Sequence, residues 1–228
     1  MKLSIIIPIY NEEKLIKEVL RRVRQLPFDK EIILVDDASI DGTHKILEQE
    51  VAEHPGNTIL LTHKHNQGKG ASIRTGLQHA TGDIIIIQDA DLEYNPEEIP
   101  AVIKPILEGK TNVAYGSRFL GEVKRMRLPN LIANKILALL VSVLYGQRIT
   151  DEATAYKAFR REVIQQIELK CTGFEFCPEV TAKLLRKGEK IIEVPVTFTA
   201  RTFWEGKKIG WRDFFIALYT LIKYRFFR

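Results

Sequence analysis

Short runs of aliphatic residues alternate along the chain with longer segments in which apolar residues recur every three or four positions. Runs of the first kind predict strands, and segments of the second kind predict amphipathic helices. The pattern predicts strands at residues 3–9, 31–35, 58–62, 84–87 and 112–117, with helices between them that end near residues 26, 54, 80 and 108. We expect Asn11-Glu12-Glu13 to cap the first helix and Ala71 to begin the third. This alternation is typical of an α/β protein with a doubly wound, mostly parallel sheet.

Four consecutive isoleucines at residues 84–87 predict a strand that is buried on both faces, as in the middle of a parallel sheet. Asp89 and Asp91 follow where this strand should end, and an extended chain there would project both carboxylates to the same side. That arrangement suits a hard cation, Mg²⁺ or Mn²⁺, held between the carboxylates and a ligand such as a diphosphate. The alternative is a polar turn before the helix that Pro96 begins. The metal site is favoured because open α/β sheets bind ligands beyond the carboxyl ends of their strands.

Composition limits the class of protein. A chain of 228 residues with 45% hydrophobic content is expected to form one α/β domain. The apolar run after Met1-Lys2 is short and is followed by Pro8, so no secretory signal is predicted. The longest uncharged stretch, residues 136–147, is shorter than the ~20 residues that span a bilayer, so no membrane span is predicted. Cys171 and Cys177 match neither a zinc site nor a disulfide framework, which favours a reduced, cytoplasmic setting.

The net charge of +5 is concentrated at the end of the chain. Residues 201–228 contain seven Lys and Arg and two acidic residues, which gives 7 − 2 = +5. Many aromatic residues lie among these cations, and this mixture is typical of segments at membrane headgroups. No nucleic-acid motif is present, so no nucleic-acid partner is expected. Residues 201–228 are therefore predicted to form a basic, aromatic helix at a membrane surface or an oligomer contact. The apolar residues 131–145 allow the same two interpretations or a place in the core, and the oligomeric state stays open.

Polar motifs follow several of the predicted strands. They are Pro8-Ile9-Tyr10-Asn11-Glu12, Val35-Asp36-Asp37-Ala38-Ser39-Ile40-Asp41-Gly42-Thr43, Asn66-Gln67-Gly68-Lys69-Gly70, Asp89-Ala90-Asp91 and Tyr115-Gly116-Ser117-Arg118. Together, and in this order, they resemble the family 2 glycosyltransferases of the GT-A fold. Within that family, residues 150–161 and 193–210 are similar to the polyprenyl-phosphate sugar transferases, such as dolichyl-phosphate mannose synthase and the dolichyl- or undecaprenyl-phosphate glucosyltransferases.

The resemblance implies an organisation and an activity. It implies a catalytic domain at residues 1–200, with a nucleotide-sugar half at about 1–118 and an acceptor half at about 119–200, before the helix at 201–228. The implied reaction is the metal-dependent, inverting transfer of mannose or glucose from GDP-mannose or UDP-glucose to a polyprenyl or dolichyl phosphate. It would take place at the cytoplasmic face of a membrane. Two alternatives stay open, namely a transferase acting on a soluble or polysaccharide hydroxyl, and a membrane-docked nucleotide-sugar-binding module without turnover.

The resemblance also implies roles for individual residues. Contacts to the nucleotide sugar are expected from Pro8, Tyr10, Glu12, Val35, Asp37, Lys69, Asp89, Ala90, Asp91, Arg118, Arg201 and Lys207. The expected metal ligands are Asp89, Asp91 and Glu93, although many relatives have Gln at the last position. The expected catalytic residues are Asp89, Asp91, Arg118, Asp151 and Arg201, with Arg127 as a further cation.

The chemistry of the acceptor favours cations over a base. A lipid monophosphate has a second pKa of about 6, so it is mostly dianionic at neutral pH and needs positioning rather than deprotonation. Asp151 is therefore either a base or a group that orients the cations. The Gly68-Lys69-Gly70 segment either approaches a diphosphate through its backbone N–H groups or is a plain turn. Glu12 either contacts the nucleotide or only complements the dipole of the first helix.

Overall fold

The computed structural model describes residues 1–201 and 210–227. Its strands are β1 (Leu3–Ile9), β2 (Lys30–Asp36), β3 (Thr58–Thr62), β4 (Ile84–Ile87), β5 (Val113–Ser117), β6 (Val123–Lys124), β7 (Lys157–Arg160), β8 (Ile191–Pro195) and β9 (Phe198–Thr199). Its helices are α1 (Ile16–Arg24), α2 (Thr43–Glu53), α3 (Lys69–His79), α4 (Ile99–Leu107), α5 (Leu128–Tyr145), α6 (Arg161–Ile164), α7 (Phe176–Arg186) and α8 (Trp211–Phe226), with a 3-10 turn at Pro96–Glu98.

Seven of these strands form a mostly parallel sheet in the order β3-β2-β1-β4-β7-β5-β8. Strand β7 runs antiparallel to both of its neighbours, β4 and β5, while the other pairs are parallel. The predicted α/β class and parallel sheet are confirmed, but the sequence pattern did not predict that β7 lies between β4 and β5. Strands β6 and β9 pair in a separate two-stranded sheet. The division into halves at residue 118 stays a prediction.

The run of isoleucines in β4 is buried on both faces, as predicted. Ile84 and Ile86 pack in the core under α1, α2 and α4, whereas Ile85 and Ile87 pack in the core under α3, α5, α7 and α8. Successive side chains of a strand point to opposite faces, so a run without polar residues requires helices on both sides of the sheet. Strand β4 is therefore a central element of the sheet.

The start of the first helix differs from the prediction. Helix α1 begins at Ile16, and the side chain of Asn11 does not cap it. Instead Asn11 Oδ1 accepts a hydrogen bond from the backbone N–H of Ile40 at 2.8 Å, and the backbone N–H of Glu12 donates to Thr43 Oγ1 at 2.9 Å. Residues 11–12 thus connect the end of β1 to the loop after β2. Helix α3 begins at Lys69, two residues before the predicted start.

Helices α5 and α8 pack against each other and against α7. Both leave large apolar side chains exposed, namely Leu128, Ile132, Ile136, Leu139 and Val143 on α5 and Trp211, Phe215, Ile216, Tyr219, Ile222 and Phe226 on α8. Helix α5 has 18 residues with a mean hydropathy of 1.6, so among the described residues one helix is long and apolar enough to cross a membrane. Length and composition alone do not establish a span, so the absence of a membrane span stays a prediction.

At the edge of the sheet opposite the strand ends discussed below, Glu31 connects three segments. Its carboxylate accepts hydrogen bonds from Lys2 Nζ at 2.5 Å, from Ser4 Oγ at 2.5 Å and from the backbone N–H of Thr81 at 2.6 Å. Burial raises the pKa of Glu31, but these donors more than offset it and lower the pKa from 4.5 to about 2. The carboxylate therefore stabilises the folded state in its charged form.

Replacing Glu31 with Gln should lower the free energy of unfolding at neutral pH by about 2 kcal/mol, because the donors lose a charged acceptor. Since the folded pKa is depressed, the stabilisation is present above pH 4.5 and is lost as the pH falls towards about 2. Urea unfolding of both proteins at neutral pH and at about pH 3 measures the difference. The difference in the free energy of unfolding between the two proteins should be smaller at about pH 3 than at neutral pH. Glu53→Gln, at an exposed position at the end of α2, is the matched control, and an equal difference at both pH values would contradict this assignment.

Candidate active site

A cavity of about 670 Å³ lies beyond the carboxyl ends of β1, β2, β4 and β5. Parallel strands end at the same edge of a sheet, so the loops that follow them meet there. Most of the residues predicted from the sequence line this cavity, namely Pro8, Tyr10, Glu12, Asp37, Lys69, Asp89, Ala90, Asp91, Glu93, Arg118 and Arg201. We call the part around Glu12, Lys69, Asp89, Asp91, Glu93 and Arg201 the polar end.

Arg201 connects the acidic residues of the polar end. Its Nη1 donates to both carboxylate oxygens of Glu12 at 3.1 Å, and its Nη2 donates to Asp91 Oδ2 at 2.5 Å. Its backbone N–H donates to Glu93 Oε1 at 2.6 Å. Arg201, which follows β9, thereby joins the loop after β1 to the loop after β4.

Asp89 and Asp91 lie close together but have different partners. Asp89 Oδ1 forms an ion pair with Lys69 Nζ at 2.5 Å, whereas Asp91 pairs with Arg201. Burial is the main factor that raises the pKa of Asp91, and the charge of Asp89 raises it further. Burial lowers the pKa of Lys69, but the charge and hydrogen bond of Asp89, together with the nearby Cys177 and Asp91, more than offset it, so the pKa is raised and Lys69 stays protonated. The predicted repulsion between the two aspartates is present, but burial has the larger effect on the pKa of Asp91.

The carboxylate of Asp37 shapes the loop after β3. It accepts hydrogen bonds from the backbone N–H groups of Gln67 at 2.8 Å and of Gly68 at 2.7 Å, and His63 Nδ1 lies 2.6 Å from it. Asp37 lines the cavity at the same time. Its contact with a nucleotide stays a prediction, and its role in holding residues 63–68 is visible in the structure.

The Gly68-Lys69-Gly70 segment is a site of close backbone packing. Gly68 has φ +95°, and a Cβ there would lie 2.4 Å from the backbone oxygen of Thr172. A Cβ on Gly70 would lie 2.8 Å from the backbone oxygen of Gly173. Because the N–H of Gly68 already donates to Asp37, it does not point to a diphosphate. Both glycines therefore let residues 171–173 approach the start of α3.

Arg118 is held by a fully buried carboxylate. Its Nε and Nη2 each donate to Asp151 at 2.7 Å, and its backbone N–H donates at 2.9 Å. Glu193 accepts hydrogen bonds from the backbone N–H groups of Thr150 and Asp151 at 2.8 and 2.9 Å, which fixes the turn. Asp151 is 0% exposed and does not line the cavity, whereas Arg118 does. This geometry favours Asp151 as a group that orients Arg118 rather than as a base.

Three predicted residues lie elsewhere. The side chain of Val35 is 0% exposed and packs in the core under the sheet, since it points away from the loops at the strand end. Arg127 is exposed at the residue before α5 and does not line the cavity. Lys207 lies outside the described residues.

The cavity also has a part that the sequence motifs did not indicate. Its lining also includes a set of apolar residues that we call the apolar end, Ala133, Leu137, Phe176, Phe214 and Ala217, and the same helices add the polar Asn130, Asn134 and Asp213. These residues come from α5, α7 and α8. Apolar residues with helical spacing look alike whether they line a cavity or fill a core, so only the packing of these helices reveals the apolar end.

Residues 4–168 match the family described as Glycosyl transferase family 2. The chain belongs to this family. It is 33% identical to the UDP-N-acetylglucosamine--dolichyl-phosphate N-acetylglucosaminyltransferase of Methanococcus voltae, with 94% of each chain covered. It is 31% identical to the dolichol-phosphate mannosyltransferase of Pyrococcus furiosus over 98% of this chain, but it spans only 64% of that relative's length.

The fold of this family 2 transferase is shared with a solved structure. The glucosyl-3-phosphoglycerate synthase from Mycobacterium tuberculosis, in complex with Mn²⁺, uridine diphosphate and phosphoglyceric acid, has a TM-score of 0.75 and is 18% identical. The alignment covers 100% of this chain and 79% of that chain. The GT-A fold predicted from the motifs is confirmed.

The residues of this transferase fit a divalent cation only together with a ligand. Among residues 1–201 and 210–227, no group of three or more His, Cys, Asp or Glu side chains is arranged to hold a metal by itself. Asp89 and Asp91 nevertheless supply the hard oxygen donors that Mg²⁺ and Mn²⁺ prefer. A cation would also offset the raised pKa of Asp91, which burial and Asp89 cause. The donor set is therefore suited to an ion whose remaining ligands come from elsewhere.

Replacing Gly70 with Ala should lower the free energy of unfolding by about 1 to 3 kcal/mol, because the added methyl group clashes with the backbone of residues 172–173. It should also weaken nucleotide binding, since Lys69 at the start of α3 is displaced from Asp89. Thermal unfolding and calorimetric titration with UDP and GDP measure the two effects. Gly56→Ala has open space around the new Cβ and is the matched control. Equal stability of the two variants would contradict the proposed packing.

Proposed function

We propose that this family 2 transferase moves a hexose from a nucleotide diphosphate sugar to a polyprenyl phosphate at a membrane surface, by a single displacement with inversion. GDP-mannose and UDP-glucose are the donors that the sequence motifs favour, and the relative from Methanococcus voltae adds UDP-N-acetylglucosamine. The names of both relatives also include a dolichyl or dolichol phosphate. These names support the proposed acceptor class.

The observation that carries this proposal is the two-ended shape of the cavity. Its polar end offers paired carboxylates and cations, and its apolar end lies between α5, α7 and α8. A soluble sugar acceptor would leave the apolar walls exposed to water, which is unfavourable. A lipid phosphate has a charged head and a hydrocarbon tail, and it matches both ends of the cavity.

Arg118 lines the same cavity as the polar end. Burial lowers its pKa, but the charge and hydrogen bonds of Asp151, together with the nearby Tyr94 and Cys177, more than offset this and raise the pKa above its usual value, so the guanidinium stays charged. A fixed, charged guanidinium is suited to holding an acceptor phosphate in line with the sugar. Because such a phosphate is already mostly dianionic at neutral pH, the reaction needs no base. Arg201 and Lys69 supply further positive charge on the donor side.

We propose that Asp89, Asp91 and Glu93 face a Mg²⁺ or Mn²⁺ ion that the donor diphosphate helps to hold. When bound, such an ion supplies Lewis-acid stabilisation of the charge on the departing nucleoside diphosphate. Glu93 is near enough to accept from the backbone of Arg201, and burial raises its pKa. Its raised pKa fits a carboxylate that gains from a nearby cation. The ion pairs with Lys69 and Arg201 hold the carboxylates in place.

The exposed faces of α5 and α8 support a membrane surface at the apolar end. Their apolar side chains are accompanied by exposed cations, Lys135 on α5 and Arg212, Lys223 and Arg225 on α8. Apolar side chains with flanking cations favour the headgroup region of anionic bilayers. The family resemblance that implies a nucleotide-sugar donor also implies the cytoplasmic face of the membrane, and we propose that position. A homo-oligomer contact is the alternative for these faces.

Incubation with labelled GDP-mannose, UDP-glucose or UDP-N-acetylglucosamine, in vesicles that contain polyprenyl phosphate, should give organic-extractable label from one donor. The label should require Mg²⁺ or Mn²⁺ and should be lost with EDTA. Asp91→Asn should reduce transfer by about a hundredfold or more, because it removes a carboxylate that would hold the divalent cation and that pairs with Arg201. Asp29→Asn, at an exposed position, is the matched control. No lipid label from any donor, in a protein that still binds nucleotide, would rule out the lipid acceptor.

Asp151→Asn distinguishes a phosphate acceptor from a hydroxyl acceptor. If Asp151 only orients Arg118, the variant should slow transfer by about 10- to 100-fold, since a charged hydrogen bond is weakened. The dependence of the rate on pH should keep its shape. If Asp151 is the base for a hydroxyl acceptor, turnover should be abolished, and any residual rate should lose the acidic limb of the pH profile, where the base would become protonated. Initial rates between about pH 6 and pH 9 measure this.

A further inference from the structure

Glu152 is a buried carboxylate at the wall of the cavity. It is 0% exposed, it lines the cavity, and neither of its side-chain oxygens has a hydrogen-bond partner among the described residues. Leaving a buried carboxylate without hydrogen bonds is strongly unfavourable. A position like this is retained where a ligand completes the hydrogen bonds.

A nearby positive charge partly stabilises the Glu152 carboxylate but does not supply hydrogen bonds to its oxygens. Lys157 Nζ donates to the backbone oxygen of Glu152 at 2.7 Å and lies 3.6 Å from the ring centre of Tyr115, so it does not bond the carboxylate. The hydroxyl of Thr181 lies 3.0 Å from the Tyr115 hydroxyl. Burial raises the pKa of Glu152 to about 7, and the charge of Lys157 lowers it only in part. The neighbouring Thr181 hydroxyl also lowers the pKa of Glu152, but among the described residues no donor is in hydrogen-bond geometry with either carboxylate oxygen.

Glu152 lines the same cavity as the polar end and Arg118. The thiol of Cys177 lines the cavity beside it, and the charges of Lys157, Glu152, Lys69 and Asp89 all act on that thiol. Arg118 lines the same space and is close enough for its charge to act on Glu152. The carboxylate thus shares one cavity with the Lys69–Asp89 pair of the polar end and with the guanidinium of Arg118.

The chemistry of the carboxylate excludes most parts of the proposed ligands. A phosphate would be repelled by the carboxylate, and a hydrocarbon chain would supply no donor. The proposed cation is assigned to Asp89, Asp91 and Glu93, so it does not account for the Glu152 carboxylate. Neutral hydroxyl groups remain, and two neighbouring hydroxyls match the two oxygens of a carboxylate.

We infer that Glu152 accepts hydrogen bonds from hydroxyl groups of the transferred sugar and is a specificity-determining residue for the donor. This inference rests on the proposed function, because that function places a sugar between the polar end and Arg118. A site that bonds hydroxyls through buried polar groups discriminates strongly against analogues that lack them. Glu152 should also disfavour donors with a carboxylate on the sugar, since like charges repel.

The test compares sugar nucleotides with free nucleoside diphosphates, without an acceptor. Calorimetric titration of the wild-type protein and of Glu152→Gln uses UDP, UDP-glucose, GDP and GDP-mannose, each with Mg²⁺. Gln keeps the size of the side chain and removes its charge. Glu168→Gln, whose side chain is 82% exposed, is the matched control. Thermal unfolding of all three proteins reports on the fold.

We expect Glu152→Gln to bind the preferred sugar nucleotide at least about tenfold more weakly, while its affinity for the matching free diphosphate changes less than about twofold. Its melting temperature should be equal to or above that of the wild type, because a buried unpaired charge is removed. Equal changes for the sugar nucleotide and the free diphosphate, or no change for either, would overturn the assignment. A lowered melting temperature with unchanged sugar binding would do the same and would assign Glu152 to the fold.

Deoxy analogues of the preferred donor give a second measurement. Removal of the hydroxyl that Glu152 binds should weaken binding to the wild-type protein but should not weaken binding to Glu152→Gln. In a double-mutant cycle, such non-additive losses indicate a direct contact between the hydroxyl and the side chain. Additive losses for every deoxy analogue would overturn the contact. These titrations need no acceptor. If sugar binding depends on Glu152 but no sugar is transferred to lipid, the proposed acceptor is rejected and the role of Glu152 is retained.

Discussion

Burial of several carboxylates at the end of a sheet is possible only where positive charge is brought to them. At the polar end, Glu12, Asp89, Asp91 and Glu93 come from two different loops, and Lys69 and Arg201 are the described cations that contact them. Counting only the described residues, four negative charges face two positive charges, an excess of 4 − 2 = 2. Burial is the main reason that the pKa of Asp91 is raised even though it pairs with Arg201, and the charges of Asp89 and Glu93 raise it further. The excess of negative charge also gives a physical reason for a divalent cation in the proposed function.

The same constraint orders the rest of the site. Asp151 is acceptable at full burial because Arg118 binds it through two side-chain nitrogens, and Glu193 holds the turn that carries it. Asp37 is buried and bonded by the N–H groups of the loop that leads into α3, which carries Lys69 to Asp89. Each buried carboxylate thus positions a cation or a loop. Glu152 differs from them because no described residue donates to its side chain.

The apolar end follows from a different constraint, namely the packing of α5 and α8. These helices cover part of the sheet with one face and leave apolar side chains on the other. The cavity continues between them from the polar end. The proposed nucleotide diphosphate sugar and lipid phosphate would together contact charged and apolar parts of one continuous space. The fold therefore places two kinds of chemistry side by side without a separate domain for each.

The sequence by itself determined the central strand, the parallel α/β sheet and most of the residues that line the polar end. It could do so because the isoleucines of β4 must be covered on both faces and because loops after parallel strands meet at one edge. The tertiary structure decided the antiparallel place of β7, the partners of each carboxylate and the exclusion of Val35 from the cavity. It also decided that Gly68 and Gly70 serve close backbone packing, and that Asp151 is buried behind Arg118 while Glu152 reaches the cavity. These features depend on contacts between residues far apart in the chain, such as Arg201 with Glu12, and local patterns of hydrophobic and polar residues carry no information about such contacts.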